Sequence, residues 1–342
     1  MNKAKYIFCK HNSIVPVDEN EVFVISPKAR FCIKGKDMAQ VIKNVMSHFK
    51  ELTQPEDIIS KYSDKYSESS LWRLFFMMVE KDLLISESDY VAVSQIEHTL
   101  LDKAFFYSSK NMSIHDITTK LSQLTIGLIG TSQLVMCLID SFVKCGLFLN
   151  FRIGFTDSED SAEVLMSDMN VTTFTLNYAN HENIKAAISS CDLVVVACNY
   201  DNHYLLKQIN IVCLGENKTW VRVVSEGYNF EVGPIFIPLE TGCYMCMHKR
   251  LLQNLSKEEQ VQVNLLNKHQ MNEQIKSDLF KCNSLYLTNA ISANIAASEA
   301  VKYLIGTHCT IFNQVLSVNC LDFKTNTSFI YKDFKCESCR KR

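Results

Sequence analysis

Between Asp37 and Leu52 the apolar residues Met38, Val41, Ile42, Val45, Met46 and Phe49 recur at the spacing of one helix face, which predicts an amphipathic helix. Before it, Val22 to Ser26 and Arg30 to Lys34 alternate apolar and polar side chains as short strands do. After it, a second helix is predicted over Pro55 to Tyr62. A third starts at Ser69 or Ser70 and runs through Leu71, Leu74, Phe75, Met78 and Val79. Leu83-Leu84-Ile85 then reads as a closing β element. Over residues 1–95 this order describes a small winged-helix α+β domain, with an undifferentiated α+β cap as the other reading of the same pattern. Residues 96–122 are polar and mixed, with Ser108, Ser109, Lys110 and Asn111 together, and predict a connector.

From Leu124 the pattern changes. An apolar run, LTIGLIG, is followed by a helical stretch from about Gln133 to Cys145 and a strand over Leu147 to Phe155. Next come a strand at VTTFTLN, a helix over His181 to Ser190 and an apolar strand over Leu193 to Ala197. Strands alternating with helices argue for a parallel-rich sheet flanked by helices, because crossover connections put helices on both faces. Residues 123–342 are therefore expected to form an α/β domain with a Rossmann-like core.

Composition narrows the class. At 342 residues the chain has room for two domains at roughly 100 to 200 residues each. With 47% hydrophobic and 21% charged residues it is expected to be globular. The longest apolar runs fall short of the ~20 residues of a membrane span, and Lys10, His11, Asp18 and Glu19 break up the N-terminus, so no membrane association and a cytoplasmic location are expected. A net charge of −2 with one short basic run, Arg340-Lys341-Arg342, argues against nucleic acid as a partner. Fourteen cysteines in such a chain fit a reducing compartment, and Cys137, Cys145, Cys191 and Cys198 lie in apolar runs where cysteine acts as a small hydrophobe.

Four cysteines are arranged differently. Cys243 and Cys246, and Cys336 and Cys339, form two Cys-x-x-Cys pairs. Thiolates at i and i+3 converge on one tetrahedral ion, and two such pairs complete a closed four-cysteine site, so a structural Zn²⁺ is expected. At the first strand-to-helix turn of the α/β domain, Gly130 stands where a phosphate loop needs glycine, and Thr131 and Ser132 are positioned to cap the helix and offer hydroxyls. Asp157, with Glu159 and Asp160, follows the second strand, as a ribose-binding acid does and as a solvated acidic loop does. Asp201 follows the apolar strand and reads equally as a helix N-cap. Arg222 and Glu226 flank a strand, either as a surface pair or with Arg222 reaching a cleft.

The segment VGPIFIPLETGCYMC, with Gly233, Pro234, Phe236, Pro238, Thr241, Cys243 and Cys246, together with the terminal Cys336-Glu337-Ser338-Cys339, resembles the ThiF-type family of ubiquitin-activating-enzyme-like proteins. In particular it is similar to those that act in the biosynthesis of ribosomally made peptide natural products. The resemblance implies a structural zinc, a homodimer and, in active members, adenylation of a carboxylate with ATP and Mg²⁺, with Asp201 at the metal-binding aspartate. It further implies that the N-terminal domain takes the leader of a precursor peptide as an added strand, with residues 22–35 and the helix from Ser70 forming the groove. Active members carry a G-x-G-G-x-G turn and an N-x-x-R-Q segment. This chain has Gly130-Thr131-Ser132-Gln133 and no arginine between Arg152 and Arg222. The resemblance thus implies either a partner subunit that presents a precursor peptide to a YcaO-type cyclodehydratase, or an autonomous ATP-dependent peptide-modifying enzyme.

Overall fold

The computed structural model describes residues 4–9, 12–26, 30–81, 83–94, 114–144, 150–156, 170–177, 179–271 and 285–340. It divides into two compact units, Met1–Thr119 and Lys120–Arg342. No helix among the described residues is long and apolar enough to cross a membrane.

In the first unit, strands β2 (Ser13–Pro16), β3 (Glu21–Ile25) and β4 (Arg30–Lys34) form an antiparallel sheet with β3 in the centre. Val22 and Val24 of β3 bury their side chains against α1 (Met38–Met46), α2 (Pro55–Tyr62) and α3 (Glu68–Glu80). The helix expected to reach Leu52 ends as α1 at Met46 and tightens into a 3-10 turn, Ser47–Lys50, where Phe49 leaves helical geometry. α3 begins before the expected Ser69 or Ser70, because Ser67 Oγ accepts the Ser70 amide and caps the helix there. The closing β element, β5 (Leu84–Ser86), pairs with β1 (Tyr6–Phe8) in a separate antiparallel ribbon. A helix α4 (Glu87–Ser94) follows. Of the expected connector, residues 96–113 lie outside the described residues, and Ile114–Ser122 is helical, α5.

The second unit is built on an eight-stranded sheet, β13-β12-β11-β10-β9-β6-β7-β8. Strands β6 (Thr125–Gly130), β7 (Asn150–Phe155), β8 (Val171–Thr175), β9 (Leu193–Cys198) and β10 (Trp220–Glu226) run parallel. Helices α6 (Ser132–Lys144), α7 (His181–Ile188) and α8 (His203–Gly215) lie between them in the chain. β6 and β9 are buried over nearly their whole length, as strands covered on both faces must be, and this is why they read as unbroken apolar runs. β11 (Asn229–Phe236), β12 (Gln314–Asn319) and β13 (Lys324–Phe329) extend the sheet antiparallel. Between β11 and β12 come α9 (Tyr244–Gln253), α10 (Lys257–Met271) and α11 (Tyr286–Ile305); the last packs along α6 and against β10 and β11. The architecture is α/β with a large, mostly parallel, Rossmann-like sheet.

The chain runs outward from β6 to β7 and β8, then returns to lay β9 on the other side of β6. Open α/β sheets bind ligands beyond the carboxyl ends of the two strands at such a reversal. Here those ends are Gly130-Thr131 and Cys198-Asn199.

Candidate functional site

Gly130 is required at its position. Its φ is +155°, and a Cβ there would stand 1.6 Å from the Ala197 carbonyl oxygen of β9. The same close approach uses up the turn's first donor, because the Thr131 amide donates to Ala197 O at 3.0 Å. Thr131 O accepts the Val135 amide and so opens α6, while Thr131 Oγ1 and, at the end of β9, Asn199 Oδ1 are buried oxygens without a hydrogen-bond partner among the described residues. Ser132 is buried at the start of α6. Two orphaned oxygens at adjacent strand ends mark the switch point as a place for a polar ligand group. Asp157, Glu159 and Asp160 lie outside the described residues.

Asp201 follows Asn199 by two residues, and the N-cap of α8 is its neighbour Asn202, whose side chain accepts the Leu205 amide. Asp201 instead faces Arg222. Arg222 is no surface group: its side chain is 2% exposed, its Nη2 is 3.2 Å from Asp201 Oδ1 and its Nη1 is 2.6 Å from Glu231 Oε2. Glu226, offered as its surface partner, is exposed at the far end of β10. Burial opposes the guanidinium's charge, but Asp201 and Glu231 outweigh it and hold the arginine protonated above its ordinary range. Ser317 Oγ, 3.2 Å from Glu231 Oε1, fixes the second carboxylate from β12. The strand register sets this up. β10 pairs with β11 with a shift between Val221 and Val223, so that Arg222 stands opposite an irregularity containing Gly233 and Pro234. Gly233 takes φ +96° there, and a Cβ would lie 2.6 Å from Gln314 O.

Beside this ion cluster, His203 at the start of α8 stacks on His248 of α9 with ring centroids 3.8 Å apart, and His203 Nδ1 is 3.0 Å from Tyr244 Oη. Burial first, and His248 second, push the His203 imidazole down to about 4; burial lowers His248 too. Both rings are neutral at neutral pH. Burial, reinforced by Asp201, raises the Tyr244 phenol well above its usual value, so it stays protonated.

The four cysteines converge. Their sulfurs lie within 4.8 Å of one another, with Cys243–Cys246 at 3.8 Å and Cys243–Cys336 and Cys246–Cys339 at 3.6 Å. A tetrahedral Zn²⁺ with Zn–S bonds of about 2.3 Å separates its sulfurs by about 3.8 Å, so the cage fits that ion. All four residues are at most 5% exposed. The hydrogen bond between the Cys243 and Cys246 thiols is the main cause that lowers Cys246, to about 5, and it raises Cys243. The Asp333 amide donates to Cys246 Sγ at 3.4 Å, an outer hydrogen bond that suits a metal-bound thiolate. Thr241 shapes the approach to Cys243, with its Oγ1 accepting the Ile237 amide at 2.8 Å. The set is closed, so the cysteines would hold zinc for structure and leave no place on it for substrate.

The sequence model of the ThiF family matches residues 158–341, more than half of the chain. The chain belongs to the ThiF family. Its ThiF region includes the switch-point strand β9, the Arg222 cluster and all four cysteines, so every feature of the site except the Gly130 turn lies within it. No curated relative matches the chain in sequence. Among solved structures, E. coli MccB with MccA-N7isoASN superposes with a TM-score of 0.74 at 14% identity, covering 98% of this chain and 99% of that one. E. coli MccB with ATP gives 0.73 at 14% identity over the same shares. The heterocyclase TruD gives 0.66 at 17% identity, covering 98% of this chain and 43% of that one. At these identities the likeness shows the fold.

Glu231, Tyr244, His203 and His248 escaped the sequence reading. One signal was available: an arginine inside the apolar strand WVRVV needs a buried partner, and the next strand offers one acid, Glu231.

Proposed function

We propose that this ThiF-family protein acts in the biosynthesis of a ribosomally made peptide, binding the leader of the precursor and presenting it to a YcaO-type cyclodehydratase. The observation that carries the reading is the state of the switch point. The Thr131 amide, which a phosphate loop would aim at its ligand, is spent on Ala197 O, and the aspartate expected to hold Mg²⁺ is ion-paired with Arg222. The TruD heterocyclase shares this architecture over 43% of its chain, so a unit of this kind occurs alongside further protein in a heterocyclase.

The N-terminal unit is read as a winged-helix leader-binding element. Strand β4 is an edge of its sheet, alternating exposed and half-buried residues, and so offers backbone groups to an added peptide strand. The opposite edge, β2, ends in Pro16, which has no amide to give. Phe76 on α3, 62% exposed and stacked on Trp72, supplies an apolar contact for the peptide. A homodimer is the expected assembly.

The second reading is an autonomous adenylating enzyme acting on the precursor, with ATP and Mg²⁺ at Gly130, Thr131, Ser132, Asp157 and Asp201. What favours it is the coverage of MccB, whole chain against whole chain, including MccB with ATP. One assay separates the two. The purified protein is mixed with a candidate precursor peptide, and peptide binding and ATP consumption are followed together. Tight binding with no ATP turnover is expected; ATP consumption by the protein alone with the peptide removes the partner reading.

A further inference from the structure

We infer that Arg222 is the resident cation of the switch-point site, neutralising Asp201 and Glu231 so that Asp201 takes no divalent metal. The inference rests on the reading that the family's metal-binding aspartate falls at Asp201, and it says that the residues here do not fit that metal. A guanidinium cannot lose its proton in a protein, and this one is fixed. It is buried in a central strand, with Nη1 donating a hydrogen bond to Glu231 at 2.6 Å and Nη2 in ion-pair contact with Asp201 at 3.2 Å. Glu231 is itself held by Ser317.

A divalent ion could reach Asp201 by displacing Nη2, which would set a dication beside a buried guanidinium left with Glu231 alone as counter-charge. The alternative is the carboxylate's other oxygen, within a few ångströms of that same charge. Whatever polar ligand Thr131 and Asn199 receive is therefore bound without a metal ion held by Asp201. The corollary is that a neutral residue in place of Arg222 would take away the positive charge that stands between two carboxylates, the oxygen donors a hard cation takes.

The test uses the full chain with its zinc, titrated with Mn²⁺ alone, with free Mn²⁺ read by electron paramagnetic resonance. Wild type and Asp201→Asn are expected to give the same curve. Arg222→Met is expected to bind Mn²⁺ about tenfold or more tightly than wild type, because a fixed like charge has been removed from beside the carboxylate. The added Asp201→Asn change should abolish that gain. Asp201-dependent Mn²⁺ binding by the wild type overturns the inference, and so does a folded Arg222→Met protein that takes up no more Mn²⁺ than wild type. Should Arg222→Met fail to fold, the comparison of wild type with Asp201→Asn still decides. The readout is metal binding and not turnover, so ATP consumption without Asp201-dependent Mn²⁺ binding would sink the peptide-presenting role and support a metal-free site.

Discussion

Glu231→Gln leaves Arg222 with one carboxylate at 3.2 Å, and Asp201→Asn leaves it with the other at 2.6 Å. Each single change keeps a counter-charge on the guanidinium. The lost carboxylates are 37% and 39% exposed, so part of each interaction is already screened by water. A cost of about 1 kcal/mol for each single variant follows. The double variant is different in kind: it leaves a fully buried guanidinium with no counter-charge, a situation that costs about 3–5 kcal/mol. The two changes are therefore expected to be non-additive by about 2 kcal/mol.

Trp220 reports this unit directly, since it stacks on Phe236 at 4.4 Å and packs near Tyr244. The other tryptophan, Trp72, belongs to the first unit, so a Trp72→Phe background isolates the signal. Urea unfolding of the zinc-loaded proteins, followed by Trp220 fluorescence, gives the four corners of the cycle. Unchanged slopes are needed for the comparison. Additivity within about 0.5 kcal/mol would show that Arg222 does not depend on these two carboxylates, and the account of the cluster would be wrong.

Cys243→Ser and Cys339→Ser are each expected to lose bound zinc and stability, because a structural zinc contributes to folding directly; unchanged zinc stoichiometry in both, measured by metal analysis, refutes the site. Gly130→Ala should cost about 3 kcal/mol or more, since its Cβ would overlap the Ala197 carbonyl. Gly227→Ala, also at positive φ but with nothing within 4 Å, should cost about 1 kcal/mol, and equal losses in the two unfolding midpoints would contradict the packing argument. His203 has its folded pKa depressed from 6.5 to about 4, so the unfolded chain binds the extra proton between those values. Stability should thus fall as pH drops from about 6.5 toward 4, and His203→Gln should flatten that dependence in pH-resolved denaturation.

The α/β half was legible because parallel strands buried on both faces leave short unbroken apolar runs such as LVVVAC, alternating with helical stretches. The four cysteines were legible because metal geometry constrains spacing. Other features depend on contacts that spacing does not encode. β13, KTNTSF, is exposed along its length and shows no alternation to read. β5 pairs with β1 across most of the first unit, a partner no local pattern names. Arg222 was legible as a surface partner of Glu226 or as a residue reaching the cleft, but its partner Glu231 was not, because Glu231 reaches it only through the β10–β11 register and its irregularity.

The cysteine cage and the switch point share one helix. Along α9 and its cap the residues run Cys243, Tyr244, Cys246 and His248, so the same turn that offers two sulfurs also carries the two rings that meet His203. α9 is tied to α8 a second time, where the Tyr244 amide donates to the buried Asn210 Oδ1 at 3.0 Å, and α8 begins two residues after Asp201. Zinc would thus fix the ring stack that flanks the Arg222 cluster, although it takes no part in chemistry. Cys339 lies near the C-terminus and not on α9, so Cys339→Ser removes a candidate metal ligand while leaving the residues of α9 unchanged. If the metal holds α9 in place, this variant should let water reach His203 and raise its imidazole from about 4 toward 6.5, because burial is the main cause of its low value. Titrating the His203 ring by nuclear magnetic resonance reads the shift directly. A metal-free but folded Cys339→Ser protein with His203 still near 4 would show that Asn210 and packing hold α9 without the zinc, and would confine the metal to anchoring the tail.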